Sequence, residues 1–493
     1  MRYNGPLSSP WKRTFIMVPN PLFYQFLMVA LILICLLIHV GLPDKPLPLP
    51  QPPLEPYKGR RKCSEELKPF PGLIYKPLCE ACAQGAEGHA KAPGLPPPLI
   101  RFTRGRRRTV DTHAHFCPDP DCAYHGWRGR GNIRANGHPG GQLWRQFQCV
   151  SCDGFFQETH GTPLHGKRVA PDMLVWAVGA LAEGLGIRAV ARVFGVDPNT
   201  VLAWLVDVAE HATAFSRYFL HDIHVTQVQL DELFALLSAV RTGEVSEAEA
   251  ITRLSRSPHW VWVAMDPVSK LLLAIDVGSR TLAMAQRVVH QVVQVLAPGC
   301  IPLFLTDGFK EYTTALLTHY GQWVQVPRRQ APGPAPKPRW MPLPELLYTQ
   351  VVKTVRRRRL VGVKHRVVFG TIEAVNQVLR PLGWQINTAF VERINLSLRQ
   401  HVAAIGRRVT TLCKGEEGLR QQLVLFQGYH NFCLPHASLR LPRAAPEPTK
   451  GSGSAKLWRP CTPAMAAGLT DRVWSLREVL LFRVPPWPQP AGV

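Results

Sequence analysis

HWVWVAMDPVSKLLLAIDV, residues 259–277, is two strands and the turn between them. Residues 259–265 and 271–277 are rich in β-branched and aromatic residues, and Pro267 to Lys270 supply the turn, so the pair reads as a β-hairpin. Working outward, VTQVQLD at 225–231 is a third strand candidate, ending on Asp231. Downstream, 281–297 carries apolar residues at helical spacing, IPLFLT at 301–306 is a buried strand, and 309–319 is a second helix. Three strands, a helix, a strand and a helix are the order of an RNase H-like domain, an α/β fold with a mixed sheet and flanking helices. Residues 388–404, TAFVERINLSLRQHVAA, add a strongly amphipathic helix.

Acids are scarce in this chain. Lys and Arg number 58 against 34 Asp and Glu, a net charge of +24 over 493 residues, and charged residues make up only 19%. The excess therefore comes from missing acids, and it points to a polyanion: nucleic acid first, an anionic membrane second. The apolar fraction of 46% excludes a mainly disordered protein. Each acid at the edge of a core strand then needs a reason. Asp231 ends the first strand in QLDEL, Asp307 ends the fourth in FLTDGF, and Glu392 sits on the amphipathic helix. Two strand-end aspartates and one helical glutamate can converge at one edge of such a sheet. Convergent carboxylates suit hard divalent cations, and two Mg²⁺ ions, with Mn²⁺ a substitute, support in-line phosphoryl displacement.

Each acid also has a plainer reading. Asp307 could be only a turn residue before Gly308, and Glu392 only a surface acid beside Arg393. Glu232 or Asp266 could replace Asp231, though Glu232 would point to the opposite face of its strand. Asp276, mid-strand, reads either as a further ligand or as a buried, paired acid. Arg399 lies two helical turns after Glu392, on the same face, where it could hold a DNA phosphate.

Upstream, Cys117 and Cys122 (CPDPDC) and Cys149 and Cys152 (CVSC) form two short-spaced pairs, the pattern of a structural zinc ribbon at about 112–158. The stretch 101–168 around them has eleven Lys or Arg against five acids. Cys79 and Cys82 read either as half of a second zinc site, with Cys63, His89, His113 and His115 as candidate partners, or, with Cys63, as three unrelated thiols. Residues 171–212 are helical, with Asp197 as N-cap and Pro198 as first helical residue after a Gly195-Val196 turn, a helix-turn-helix layout. Asn199 and Thr200 then stand at the start of the recognition helix. Residues 327–370 read as a basic insert: a Pro-rich piece, then Lys353, Arg356, Arg357, Arg358, Arg359, Lys364 and Arg366 with no acid across 353–366, a candidate phosphate track.

These pieces together resemble transposases of bacterial insertion sequences, most closely the insertion-sequence-one family. The resemblance rests on CPDPDC, FQCVSC, FFQETHGTPLHG, VQLDEL and VERINLSLRQ, and spans about 110–440. It implies DDE chemistry, with Asp231, Asp307 and Glu392 as the catalytic triad and Arg399 as the basic residue that follows the glutamate. It implies Mg²⁺-dependent 3′-end cleavage and strand transfer, and binding of the element's terminal inverted repeats by the ribbon and helix-turn-helix. The sequence departs from that compact pattern at its N-terminus, in the separation of 85 positions from Asp307 to Glu392, and at its C-terminus.

The expected organisation is a hydrophobic segment and Pro-rich linker at 1–62, a cysteine region at 63–165, a helix-turn-helix at 166–222, the catalytic domain at 223–445, and a flexible linker with a C-terminal segment at 446–493. Residues 26–42, FLMVALILICLLIHVGL, read either as a membrane span or as a buried helix or added upstream sequence. Reduced thiols in a chain this long point to a cytoplasmic, nucleoid-associated protein, with a membrane anchor if 26–42 spans. Double-stranded DNA is the expected partner, and holding two DNA ends implies a homo-oligomer. A DNA-binding regulator or membrane-tethered DNA anchor with a decayed catalytic domain is the alternative.

Overall fold

The computed structural model describes residues 110–235, 246, 249, 259–327, 336–357, 359–406, 415–449 and 453–486. The chain divides into two units, Met1–Leu67 and Lys68–Val493, and every described residue belongs to the second. The 26–42 segment, the Pro-rich linker, Cys63, Cys79, Cys82 and Arg358 lie outside the described residues.

Strands β1 (Ile133–Ala135), β2 (Gln146–Cys149) and β3 (Phe155–Gln157) form a small antiparallel sheet in that order. Phe147 and Phe156 stack at its centre, 5.8 Å apart, and Cys117, Cys122 and Cys149 are buried with them. Three helices follow: α1 (Pro171–Ala182), α2 (Ile187–Phe194) and α3 (Pro198–Phe219). Gly195 ends α2 at φ 66°, a left-handed position that a side chain would strain. Asp197 then accepts from the Asn199 N–H at 2.8 Å and caps α3. The chain turns by 115° between α2 and α3. Among the described residues no single helix is long and apolar enough to cross a membrane. The bent α2–α3 pair has the length and composition, but its Val190, Val201, Leu205 and Val208 are buried against α1.

The main sheet contains β4 (Gln227–Phe234), β5 (His259–Met265) and β6 (Leu272–Ser279), joined as an antiparallel meander. Helix α4 (Leu282–Val295) crosses over to β7 (Leu303–Thr306), which lies parallel to β4. Next come α5 (Glu311–Tyr320) and a separate ribbon of β8 (Gly321–Val324) and β9 (Arg339–Pro342). Strand β10 (Tyr348–Arg356) runs parallel to β7, and β11 (Arg359–Phe369) returns antiparallel to it. The resulting mixed sheet has the order β11-β10-β7-β4-β5-β6.

Period-2 alternation decides what each face meets. Trp262 and Ala264 face α4 and α5, together with Leu230, Val288, Phe304 and Tyr312. Val261, Val263 and Leu233 face the opposite way, where α7 (Ala389–His401) and α8 (Glu416–Gly428) follow α6 (Ile372–Leu379). Val391, Ile394 and Leu398 form the apolar stripe of α7 that seals this face.

Two segments differ from the sequence expectation. The described part of 327–370 does not stand apart as an insert, because Tyr348, Thr349, Gln350 and Val351 are buried and the first three pair with β7. Lys353, Thr354 and Arg356 of β10 and most of β11 are exposed. The C-terminal segment is equally integrated. After a ribbon of β12 (Leu441–Glu447) and β13 (Lys456–Arg459), helices α9 (Pro463–Ala466) and α10 (Leu476–Leu481) pack onto the main core. Ala464, Trp474 and Val479 are buried there beside Phe215 and Phe432. Arg483, 3% exposed, then donates to the backbone oxygens of Phe116 (3.1 Å) and His160 (2.9 Å), tying the chain end to the cysteine module.

Candidate functional site

The parallel pairing of β4 with β7 sets Leu230 opposite Thr306, so Asp231 and Asp307 are the next residues on neighbouring strands. Carboxylate oxygens of Asp231, Glu232 and Asp307 lie within 4.8 Å of one another. Strand geometry does send Glu232 to the face opposite Asp231. Its carboxylate still reaches Asp307, because Asp307 follows the last residue of β7 and sits at the rim between the two faces.

Two neighbours hold Asp231. Its Oδ1 accepts from the Glu232 N–H at 2.9 Å, and its Oδ2 accepts from the Asn395 side chain at 2.8 Å. Gln229, two residues earlier and fully buried, accepts from the Val391 N–H (3.1 Å) and donates to the Asn387 oxygen (3.0 Å). Those two bonds fix the start of α7 over β4. Burial, with the charges of Asp307 and Glu392 nearby, pushes the Asp231 carboxyl up to about 6. Burial and Asp307 push Glu232 up to about 7.

Glu232 is buried and accepts from Arg280 Nε (3.1 Å) and Nη2 (2.9 Å). Arg280 Nη2 also lies 3.5 Å from Asp307 Oδ2, and the guanidinium covers the Phe309 ring at 4.2 Å. Asp307 Oδ1 accepts from the Phe309 N–H at 2.9 Å.

Glu392 is presented by the first turn of α7. Thr388 donates to it at 2.9 Å and Lys353 of β10 forms an ion pair with the same oxygen. Its charge acts on Asp231, yet its oxygens are outside the 4.8 Å cluster. The structure therefore brings two of the three sequence-predicted acids together, adds Glu232, and holds Glu392 alongside on Lys353. Arg399 is on the Glu392 and Asn395 face of α7, by its spacing of three and four residues. Asp266 instead closes the β5–β6 turn through Ser269, at 2.5 Å, and Asp276 is a buried acid paired with Arg287 (2.8 Å) and Arg420 (3.2 Å).

Asn395, Gln229 and Arg280 were not singled out in the sequence. Spacing held a signal for two of them: Asn395 is three residues from Glu392, and Gln229 two from Asp231. Arg280, 48 residues from Glu232, has none.

The basic residues lie on the β10–β11 hairpin. Arg356 pairs with Arg359 at its tip, Arg357 turns at φ 48°, and Lys353 sits opposite Val363. Arg356, Arg357, Arg359 and Lys364 are all exposed. Asn199 is exposed in the first turn of α3 and Thr200 half-buried.

Sulfurs of Cys117, Cys122, Cys149 and Cys152 also lie within 4.8 Å of one another. The Cys117–Cys152 and Cys122–Cys149 separations, 3.6 and 3.8 Å, are far beyond a disulfide bond. Asn132 donates to Cys149 at 3.4 Å and the Tyr124 N–H to Cys122 at 3.5 Å. Four converging sulfurs with N–H donors behind them match the donor set of tetrahedral zinc.

No family model matches the chain, and no curated protein matches it. Among solved structures, the Mos1 strand transfer complex is similar at 14% identity and a TM-score of 0.13, covering 50% of this chain and 81% of that one. A pre-cleavage Mos1 transpososome is similar at 15% identity and a TM-score of 0.13, covering 31% of this chain and 59% of that one.

Proposed function

We propose that this protein is a DDE-type transposase, cutting 3′ ends at the terminal inverted repeats of an insertion sequence and joining them to target DNA. One observation carries the proposal: the β4–β7 register that sets Asp231 beside Asp307, with Glu392 presented over them by α7. A meander of three strands followed by two parallel ones is the strand order expected of an RNase H-like sheet.

Asp231, Asp307 and Glu392 would hold Mg²⁺ or Mn²⁺; burial first, and then the charges of Asp307 and Glu392, push the Asp231 carboxyl upward, and a cation would answer those charges. Two such ions activate an attacking oxygen and stabilise a leaving one in phosphoryl displacement. Asn395 orients Asp231, and Gln229 fixes α7 so that Glu392 stays over the site. Arg356 to Arg359 and Arg399 would contact phosphates, with Asn199 and Thr200 at the base edges. Cys117, Cys122, Cys149 and Cys152 would hold one structural Zn²⁺. Double-stranded DNA is the substrate and a homo-oligomer the working form, since two ends must be joined. The site of action is the cytoplasm, at the nucleoid.

The test is incubation of the purified chain with Mg²⁺ and duplexes carrying the repeats that flank its gene. Nicked 3′ ends and joined products support the proposal. Stable binding of those duplexes without any nick would support the regulator instead.

A further inference from the structure

Two cations are built into the carboxylate site. Arg280 is held by the buried Glu232 and reaches Asp307, 3.5 Å away. Lys353 is paired with Glu392 and lies 3.4 Å from the Thr388 hydroxyl. Both bind oxygens that a divalent cation would need. Four carboxylates (Asp231, Glu232, Asp307, Glu392) face these two cations, so half of the negative charge is already answered from within the chain.

Both cations are also reachable. The Arg280 and Lys353 side chains are 34% and 37% exposed, while Glu232 beneath Arg280 is 1% exposed. A phosphate arriving from solvent meets the two cations at the surface of the site. Lys353 is moreover the innermost base of β10, whose basic residues continue through Arg356 to the hairpin tip.

We propose that Arg280 and Lys353 are resident counter-ions of this site, and that a nucleic-acid phosphodiester drawing them off its carboxylates lets the site take up divalent cations. This rests on the carboxylates being a metal site, as proposed above. Without DNA the two cations repel an incoming ion and occupy its ligands. With DNA, the phosphate answers their charge and frees Asp307 and Glu392. Metal and DNA then bind with positive coupling, reciprocal between the two. Arg280 is a positioning residue here, and Glu232 is its anchor.

The experiment uses the full chain and Mn²⁺, a hard cation that thiolates hold poorly. Free Mn²⁺ is counted by electron paramagnetic resonance, without DNA and without any activity readout. Lys353→Gln and Arg280→Gln should each bind Mn²⁺ about tenfold tighter than the parent, since a like charge at close range is removed. Arg280→Lys should bind as the parent does. Lys353 is half-exposed, so its variant tests the proposal even if loss of Arg280 unfolds the chain. Lys353→Gln binding Mn²⁺ no tighter than the parent overturns the proposal. Asp307→Asn separates the two levels. If it loses Mn²⁺ while the Lys353 and Arg280 variants are unchanged, the counter-ion role fails and the metal site stands. If Asp307→Asn keeps parental Mn²⁺ binding, the metal site fails and the proposal with it.

Discussion

The Asn395 amide donates to Asp231 Oδ2 at 2.8 Å, joining the middle of α7 to the first strand of the sheet across 164 residues of chain. The bond fixes the orientation of a half-buried carboxylate and ties the helix that carries Glu392 to the strand that carries Asp231. A hydrogen bond to a charged group is worth about 1.5–3 kcal/mol. Asn395→Ala is expected to lower the melting temperature modestly and weaken Mn²⁺ binding several-fold. Asn395→Asp, which sets a second acid against Asp231, is expected to weaken stability further. Unchanged Mn²⁺ binding in Asn395→Ala would remove the positioning role.

Metal-free stability should fall as pH rises. Asp231 is raised from 3.8 to about 6 and Glu232 from 4.5 to about 7. Each folded-state acid therefore keeps its proton where the unfolded chain has lost it. The unfolded state binds fewer protons across pH 4–7, so stability falls with rising pH through that window. The loss is of order 1–2 kcal/mol per group after allowance for solvent screening. Denaturant melts in chelator at pH 5 and pH 7.5 measure it, and Asp231→Asn should flatten the difference. A parent more stable at pH 7.5 than at pH 5, with Asp231→Asn no flatter, would contradict it.

About one zinc per chain is expected in metal analysis of purified protein, lost when Cys149 and Cys152 both become Ser. The same double variant should expose the buried Phe147 and Phe156, whose packing depends on the four sulfurs converging. Equal zinc in parent and variant would place the metal elsewhere.

Arg356→Ala with Arg359→Ala should weaken duplex binding across all sequences and reduce the salt slope by about one per residue removed. Arg483→Leu should act through structure instead. It strands the Phe116 and His160 oxygens in a buried setting, at about 1–3 kcal/mol each, and loosens the cysteine module from the C-terminal segment. Proteolysis between 160 and 171 is the readout.

The β4–β6 meander was legible because HWVWVAM and LLLAIDV are strand-length apolar runs on either side of the Pro267–Lys270 turn. Asp231 and Asp307 were legible because scarce acids at strand ends demand an explanation. Strand β10 was obscured by the arginines at its outer end, which masked the buried Tyr348 to Val351 at its inner end. The role of Glu232 was hidden by the two-face rule for strands, which holds for the backbone but not for a side chain reaching around a rim. Arg280 could not be placed by any periodicity, since its contacts with Glu232 and Asp307 are tertiary. Packing of the C-terminal segment was equally invisible, because the aromatics it meets, Phe215 and Phe432, lie on distant elements.

The central claim is that Asp231, Asp307 and Glu392 act together on a DNA phosphodiester. Its most direct measurement is single-turnover nicking of a repeat-bearing duplex in Mg²⁺, alongside the duplex affinity of the same preparations. Asp231→Asn, Asp307→Asn and Glu392→Gln are each predicted to abolish nicking while binding the duplex as the parent does without divalent cation. Parental nicking by any one of the three would contradict the account.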